Sequence, residues 1–408
     1  MKEIAATSHV RLFTDAAPIR FPEGIDEFVH YLHGAIQHQL SPATISYQQH
    51  NPTEDEPYFY FGYSAEADGL TSEIAFQPVT EGVLVWVGLV DDRDQDDQIQ
   101  LWSDIVTIAV DKVLKGYSDY EWVAIIGPIA PFKTQFIVEP ATIGGMIVSK
   151  STSAYSEVTS SFVPNVRSWG VATSHPVTVE GVSKGYNWTV ASISATENLN
   201  LLCALLSVAL DANWRVRQAP RVGSASDQEI PRIHPLLAGF PLSDGDVHSV
   251  LEDDIPIPEW CAHAWRNVLD DSDLRAALHA YHQGVAIEET SPSFALIAYV
   301  GVVEGMGKHI EQVTRCETCG NVTQSARRFR KSLKEVLSNR EVKELADVYD
   351  RRSKTAHEGG MFGNEVLAGA MPHSASFMPM SNGDEFRYKV VWKMRDATRR
   401  LLLHYLQR

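Results

Sequence analysis

Between residues 218 and 246 the chain reads QAPRVGSASDQEIPRIHPLLAGFPLSDGD, rich in proline, glycine, serine and aspartate and without a helical or strand period. Such a run neither propagates a helix nor sits inside a sheet, so it divides the 408 residues into two bodies. The expected division is residues 1–217, a linker at 218–255, and residues 256–408. The fold class expected is α+β, with a mixed first body and an all-helical second.

The two sides carry different patterns. Before the divide, YFYFGYS (58–64), GVLVWVGLV (82–90), EWVAIIG (121–127) and TQFIVE (134–139) are rich in β-branched and aromatic residues and bounded by turn residues, which predicts strands. The segments 24–40, 97–114 and 195–211 have helical spacing. Beyond about 256 the pattern is helical throughout. Ser272 is placed to cap DLRAALHAYHQGV, and Ser291-Pro292 starts a helix because proline's missing N–H is not needed in a first turn. Ser338 and Glu341 have capping-box spacing. In the last helix, 388–407, Val390, Met394, Ala397, Leu401 and Tyr405 share a face. These elements predict a helical bundle.

Charge follows the same division. The formal net charge is −17, but residues 1–217 hold 26 acidic and 12 basic side chains, whereas residues 312–408 hold 11 and 18. An acidic body with a basic final quarter points to an anionic partner for that quarter alone. The longest apolar run, FALIAYVGVV (294–303), is about half what crosses a bilayer, and the N-terminus lacks a signal-peptide pattern. The expectation is a cytoplasmic protein without a membrane partner. Four cysteines in so long a chain make no disulfide framework.

The most informative string is DRRSKTAHEGG (350–360). On a helix drawn from Ser338, Val342, Leu345, Ala346, Tyr349, Ser353 and Ala356 form the core face. Arg352 and His357 fall on opposite borders of that stripe, and Arg351 points to water. Gly359 and Gly360 supply the stop. Basic residues in a helix's last turn also suit its negative end, which explains such a cluster without any chemistry.

Arg352-Ser-Lys-Thr-Ala-His357, within VYDRRSKTAHEG, resembles the Arg-x4-His signature of HEPN domains, and most closely the Apea-like HEPN group. Glu358 stands where that group usually has glycine. The apolar helix with its single carboxylate, Glu304, also resembles the family, and the likeness covers roughly 256–408. The resemblance implies metal-independent cleavage of RNA by a homodimer whose two Arg/His pairs share one cleft. His357 would then move protons, as imidazole can near neutral pH, and Arg352 would hold the scissile phosphate. Ser353 and Lys354 would position the backbone phosphate, and Glu304 would orient Arg352. Without that role, Glu304 would pair with Lys308 one turn on. No cofactor is implied.

ARRFRKSLK (326–334) lies just upstream. Arg327, Arg328 and Lys331, joined by Arg351, are the expected RNA-binding set, on a helix whose core residues are Phe329, Leu333 and Val336. Cys316 and Cys319, in CETCG, are half of a zinc knuckle. Four ligands are needed and Cys203 and Cys261 lack the spacing, so a reduced, unliganded pair is expected, with zinc the alternative. DDRDQDD (91–97) lacks the glycine and final glutamate of a calcium loop. GVSKG (181–185) matches a hydrolase elbow in letters only, because YNWTVASIS after it reads as strand. The expected function is a HEPN-type endoribonuclease, a bacterial defence or toxin-like effector whose first body senses a trigger. The alternative is a bundle that binds RNA or nucleotide, or only dimerises, without cleaving.

Overall fold

The computed structural model describes residues 8–14, 25–39, 43–50, 58–65, 70–79, 82–89, 95–129, 139–150, 155–163, 166–174, 177–223, 256–288, 290–310, 325–362 and 386–408. Helices and antiparallel sheets are both present, an α+β architecture. By compactness the chain forms two units: residues 1–119 with 184–190, and residues 120–183 with 191–408.

The first unit runs β1 (Ser8–Thr14), α1 (Ile25–Gln39), β2 (Ala43–His50), β3 (Tyr58–Ala65), β4 (Leu70–Val79), β5 (Gly82–Leu89) and α2 (Gln95–Lys115). Its sheet has the order β1-β5-β4-β3-β2, antiparallel at every pairing. Helix α1 buries Phe28, Leu32, Ala35 and Ile36, and α2 buries Trp102, Ile105, Val106 and Ala109. Those spacings of three and four residues make one apolar stripe per helix, along which the two pack together.

The second unit takes nearly all of β6 (Ser118–Ile129), then β7 (Ala141–Ile143), β8 (Met146–Lys150), a separate antiparallel hairpin of β9 (Tyr155–Val163) and β10 (Val166–Ser174), most of β11 (Val177–Gly185) and of α3 (Trp188–Ala209), and β12 (Asn213–Val222). Its sheet has the order β12-β6-β11-β8-β7. Five consecutive residues of β6, Trp122 to Ile126, are buried, as a central strand covered on both faces requires. Helix α3 is long and apolar enough to span a bilayer by length and composition, yet Leu201 to Val208 are all buried within the unit.

The other α-helices among the described residues are α4 (Trp260–Asp270), α5 (Ser272–Ile287), α6 (Pro292–Met306), α7 (Ser325–Lys334), α8 (Asn339–Glu344), α9 (Ala346–Glu358) and α10 (Trp392–Leu406), the last entered through a π-helical turn, Arg387–Val391. Helix α6 is the centre: α5, α7, α9 and α10 all pack on it. These helices belong to the same compact unit as the second sheet. The expected boundary at 217 therefore falls inside β12, and the expected linker loses its first five residues to that strand. The joining contacts are specific. His282 Nε2 lies 2.6 Å from the Trp214 carbonyl, and Arg215 Nη2 donates to the Ala286 carbonyl at 2.8 Å. Arg399 donates to the Val208 and Ala209 carbonyls, a cation on the negative end of α3. Gly144, at φ 59° in the β7–β8 turn, lets the turn press on Trp265 of α4, whose indole would collide with any Cβ there.

Several local expectations change. Asp271, not Ser272, caps α5, accepting from the N–H groups of Asp273 and Leu274. The capping box of Ser338 and Glu341 is present, but the helix it starts ends at Glu344, and α9 begins afresh after Leu345. That break rotates the buried face. Val348 and Thr355 are buried, whereas Ala356 is exposed. YNWTVASIS is the start of α3 rather than a strand. The extra residue of the π turn makes Val391 buried where Val390 was expected. The strand expected at 134–139 lies almost wholly outside the described residues, as do Cys316 and Cys319.

Candidate active site

Helix α6 is apolar on nearly every face, and Glu304 is its single carboxylate. A lone charge among Tyr299, Val300, Val302 and Val303 is costly unless paired. Its partner is Arg352 on α9: Nη2 donates to Glu304 Oε2 at 3.1 Å, with side chains 22% and 14% exposed. The alternative partner, Lys308, is engaged elsewhere, with Asp273 at 2.8 Å.

The pair is incompletely satisfied. Arg352 Nε and Glu304 Oε1 are both buried without a hydrogen-bond partner among the described residues. Behind the guanidinium lies the ring of Tyr349, 6.0 Å away, which itself packs on Phe329 of α7 at 5.6 Å. Arg352 is thus held by a carboxylate and an aromatic ring, with hydrogen-bonding capacity left over. A guanidinium so fixed is suited to an anion with two acceptor oxygens, such as a phosphodiester.

His357 lies five residues further along the same helix, about 7.5 Å in rise, and is exposed. The helix continues through Glu358 and closes on Gly359 at φ 69°, whose N–H reaches the Lys354 carbonyl. Gly360 donates to the same carbonyl at 3.2 Å, so the left-handed cap falls on Gly359, one residue after Glu358. Ser353 is half-buried and Lys354 exposed on this turn.

Arg351 departs from expectation. The break at Leu345 turns it away from water and onto the rings of Phe362 and Phe386, at 5.7 and 5.8 Å. Phe362 is anchored in turn, its N–H donating to Ser293 Oγ at the start of α6. Arg351 therefore braces the α9 end against α6. On α7, Phe329 and Leu333 are buried as expected, Val336 is half-buried, Arg327 is exposed, and Arg328 and Lys331 are half-buried. Sequence reasoning missed the roles of Tyr349, Phe362 and Phe386. Only Tyr349 carried a signal, standing one turn before Arg352.

The serine motif can be dismissed on new grounds. GVSKG does lead from strand β11 into α3, the order an elbow needs, but Ser183 is buried inside the strand and accepts a hydrogen bond from Trp122 Nε1 at 3.0 Å. Cys203 and Cys261 are buried, and burial pushes both thiols up to about 12, which makes them packing residues rather than nucleophiles. Among the described residues no group of histidine, cysteine or carboxylate side chains is arranged to hold a metal. No protein-family model matches the chain, and neither the curated proteins nor the solved structures contain a match.

Proposed function

We propose that the helical part of the chain is a metal-independent endoribonuclease of the HEPN type, acting in the cytoplasm as a bacterial defence or toxin-like effector. The observation that carries this reading is the Arg352–Glu304 pair with His357 exposed on the same short helix. Arg352 holds the phosphate and stabilises charge on its oxygens as the phosphorane forms. His357 moves the proton. The ribose 2′-OH loses its proton and attacks phosphorus, the P–O5′ bond breaks, and O5′ is protonated. The products end in a 2′,3′-cyclic phosphate and a 5′-OH. Ser353 and Lys354 contact the neighbouring phosphate, and Arg327, Arg328 and Lys331 guide the strand.

The reading calls for a second copy, so that one histidine accepts a proton and the other donates one. Phe294, Ile297, Ala298, Gly301 and Gly305 give α6 an apolar, partly exposed stripe beside Glu304. Phe294 is 46% exposed, and a Cβ at Gly301 or Gly305 would meet nothing within 4 Å among the described residues. We place the homodimer contact there. The first unit would carry the trigger site.

The test compares wild type with His357→Ala and Arg352→Ala on total cellular RNA in EDTA, with end-group analysis. The reading expects cyclic-phosphate ends from wild type alone. Equal cleavage by all three proteins would overturn it. RNA binding without cleavage by wild type would favour the non-catalytic binding module.

A further inference from the structure

In the first unit four aromatic rings converge where α1, the end of α2 and the turn before α3 meet. Tyr186 is the hub: its ring centre lies 5.2 Å from His30, 6.1 Å from Tyr31 and 6.1 Å from Tyr117, tilted or edge-on to each. The turn is held from both sides. Tyr31 Oη donates to the Tyr186 carbonyl at 3.3 Å, and Asn187 faces His30 Nδ1 at 3.2 Å while its Oδ1 accepts the Val190 N–H and caps α3. The cluster reaches the surface, with Tyr117 50% exposed.

Packing alone leaves one neighbour unexplained. Glu27, one turn before His30 and Tyr31 on α1, is only 7% exposed, and its Oε1 has no hydrogen-bond partner among the described residues. Burial raises its carboxyl, and among the described residues no cation offsets that burial. A buried carboxylate with an idle acceptor oxygen lacks a cationic donor. Asp26 and Glu27 both bear on the Tyr186 hydroxyl electrostatically, so the region is electron-rich in carboxylates as well as in ring faces. One ring face already shelters an ammonium: Lys112 Nζ sits 5.7 Å from the centre of Tyr31.

We propose that His30, Tyr31, Tyr117 and Tyr186, together with Glu27, form a binding site for a protonated alkylamine. The amine's N–H donates to Glu27 Oε1, and its charge rests against the tyrosine faces. A quaternary ammonium keeps the charge but has no N–H to give, and an alcohol of equal length keeps the shape without the charge. The inference stands independently of any activity of the helical bundle.

Saturation-transfer difference NMR on the full chain tests it, with n-butylammonium, tetramethylammonium and n-butanol as probes. The expected result is binding of n-butylammonium about tenfold tighter than of either other probe. Tyr186→Phe keeps this binding, Tyr186→Ala removes it, and Glu27→Gln weakens it about tenfold. Circular dichroism checks that each variant folds. Should Tyr186→Ala not fold, Glu27→Gln decides alone. Equal binding of all three probes, an unaltered affinity in Glu27→Gln, or no signal from n-butylammonium at about 10 mM overturns the proposal.

Discussion

Two part-buried arginine–carboxylate arrangements in the second unit differ in how fully they are satisfied. Arg395 on α10 donates to Asp211 Oδ1 at 2.9 Å and to its carbonyl at 3.3 Å, and approaches Glu288 Oε1 at 3.8 Å. The other oxygen of Glu288 accepts the Tyr299 hydroxyl at 2.7 Å. Arg352 makes one bond to one oxygen of Glu304, whose second oxygen has none among the described residues. Both arginines leave Nε unbonded, so the contrast lies in the carboxylates. The first cluster spends its capacity on the protein itself. It holds Asp211 in a left-handed turn, φ 51°, between α3 and β12. Among the described residues the second leaves a carboxylate oxygen without a hydrogen bond, the feature on which the proposed binding role rests.

Mutation can break this contrast, and the largest effect falls on the satisfied cluster. Arg395→Met strands the buried Glu288 and releases Asp211, and a loss of about 3–5 kcal/mol is expected by urea denaturation. A loss below about 1 kcal/mol would mean that the cluster is no clamp. On the proposed ribonuclease reading Arg352→Ala comes next, expected to lower RNA cleavage in EDTA about 10²–10³-fold, because the charge on the phosphorane would lose its stabiliser. Its melting temperature should move less than that of Arg395→Met. Glu304→Gln keeps shape and removes charge, and about a tenfold loss of cleavage is expected as the guanidinium loses its fixed aim. Arg352→Lys should not retain the cleavage that Arg352→Ala loses, since an ammonium lacks the planar fork.

The smallest effect comes from pH. Burial holds His282 below its ordinary value of 6.5, only partly offset by its bond to the Trp214 carbonyl. The unfolded chain therefore binds a proton more readily, so this group's contribution is present above 6.5 and lost as pH falls below it. Melting followed from about pH 7.5 to 5.5 should show stability declining, with a shallower decline in His282→Gln. An identical slope in both proteins would remove His282 from the account.

The long elements were legible in the sequence because their periods are long. Helices α1 and α2 and strands β3, β5 and β6 stand where alternation and spacing put them. The Glu304–Arg352 pair was legible in part: a single carboxylate on an apolar helix calls for a cation, but the sequence offered Lys308 beside Arg352, and only the structure chooses Arg352. What the sequence concealed has a common physical cause. The break at Leu345 involves no proline or glycine, so tertiary packing decides it, and Arg351 changed sides with it. The start of α3 reads as strand because Trp188, Thr189 and Val190 favour β structure locally. The seam between β12 and the helices depends on contacts between residues as distant as Asp211 and Arg395, which no local pattern encodes.

That seam bears on how the protein can be controlled. A protease nick between residues 224 and 255 would leave Arg395 and Arg399 still gripping the end of α3, and His282 still against Trp214. The two fragments are expected to elute together as one particle until a denaturant parts them. Cutting there would thus leave the second sheet and the helices held together.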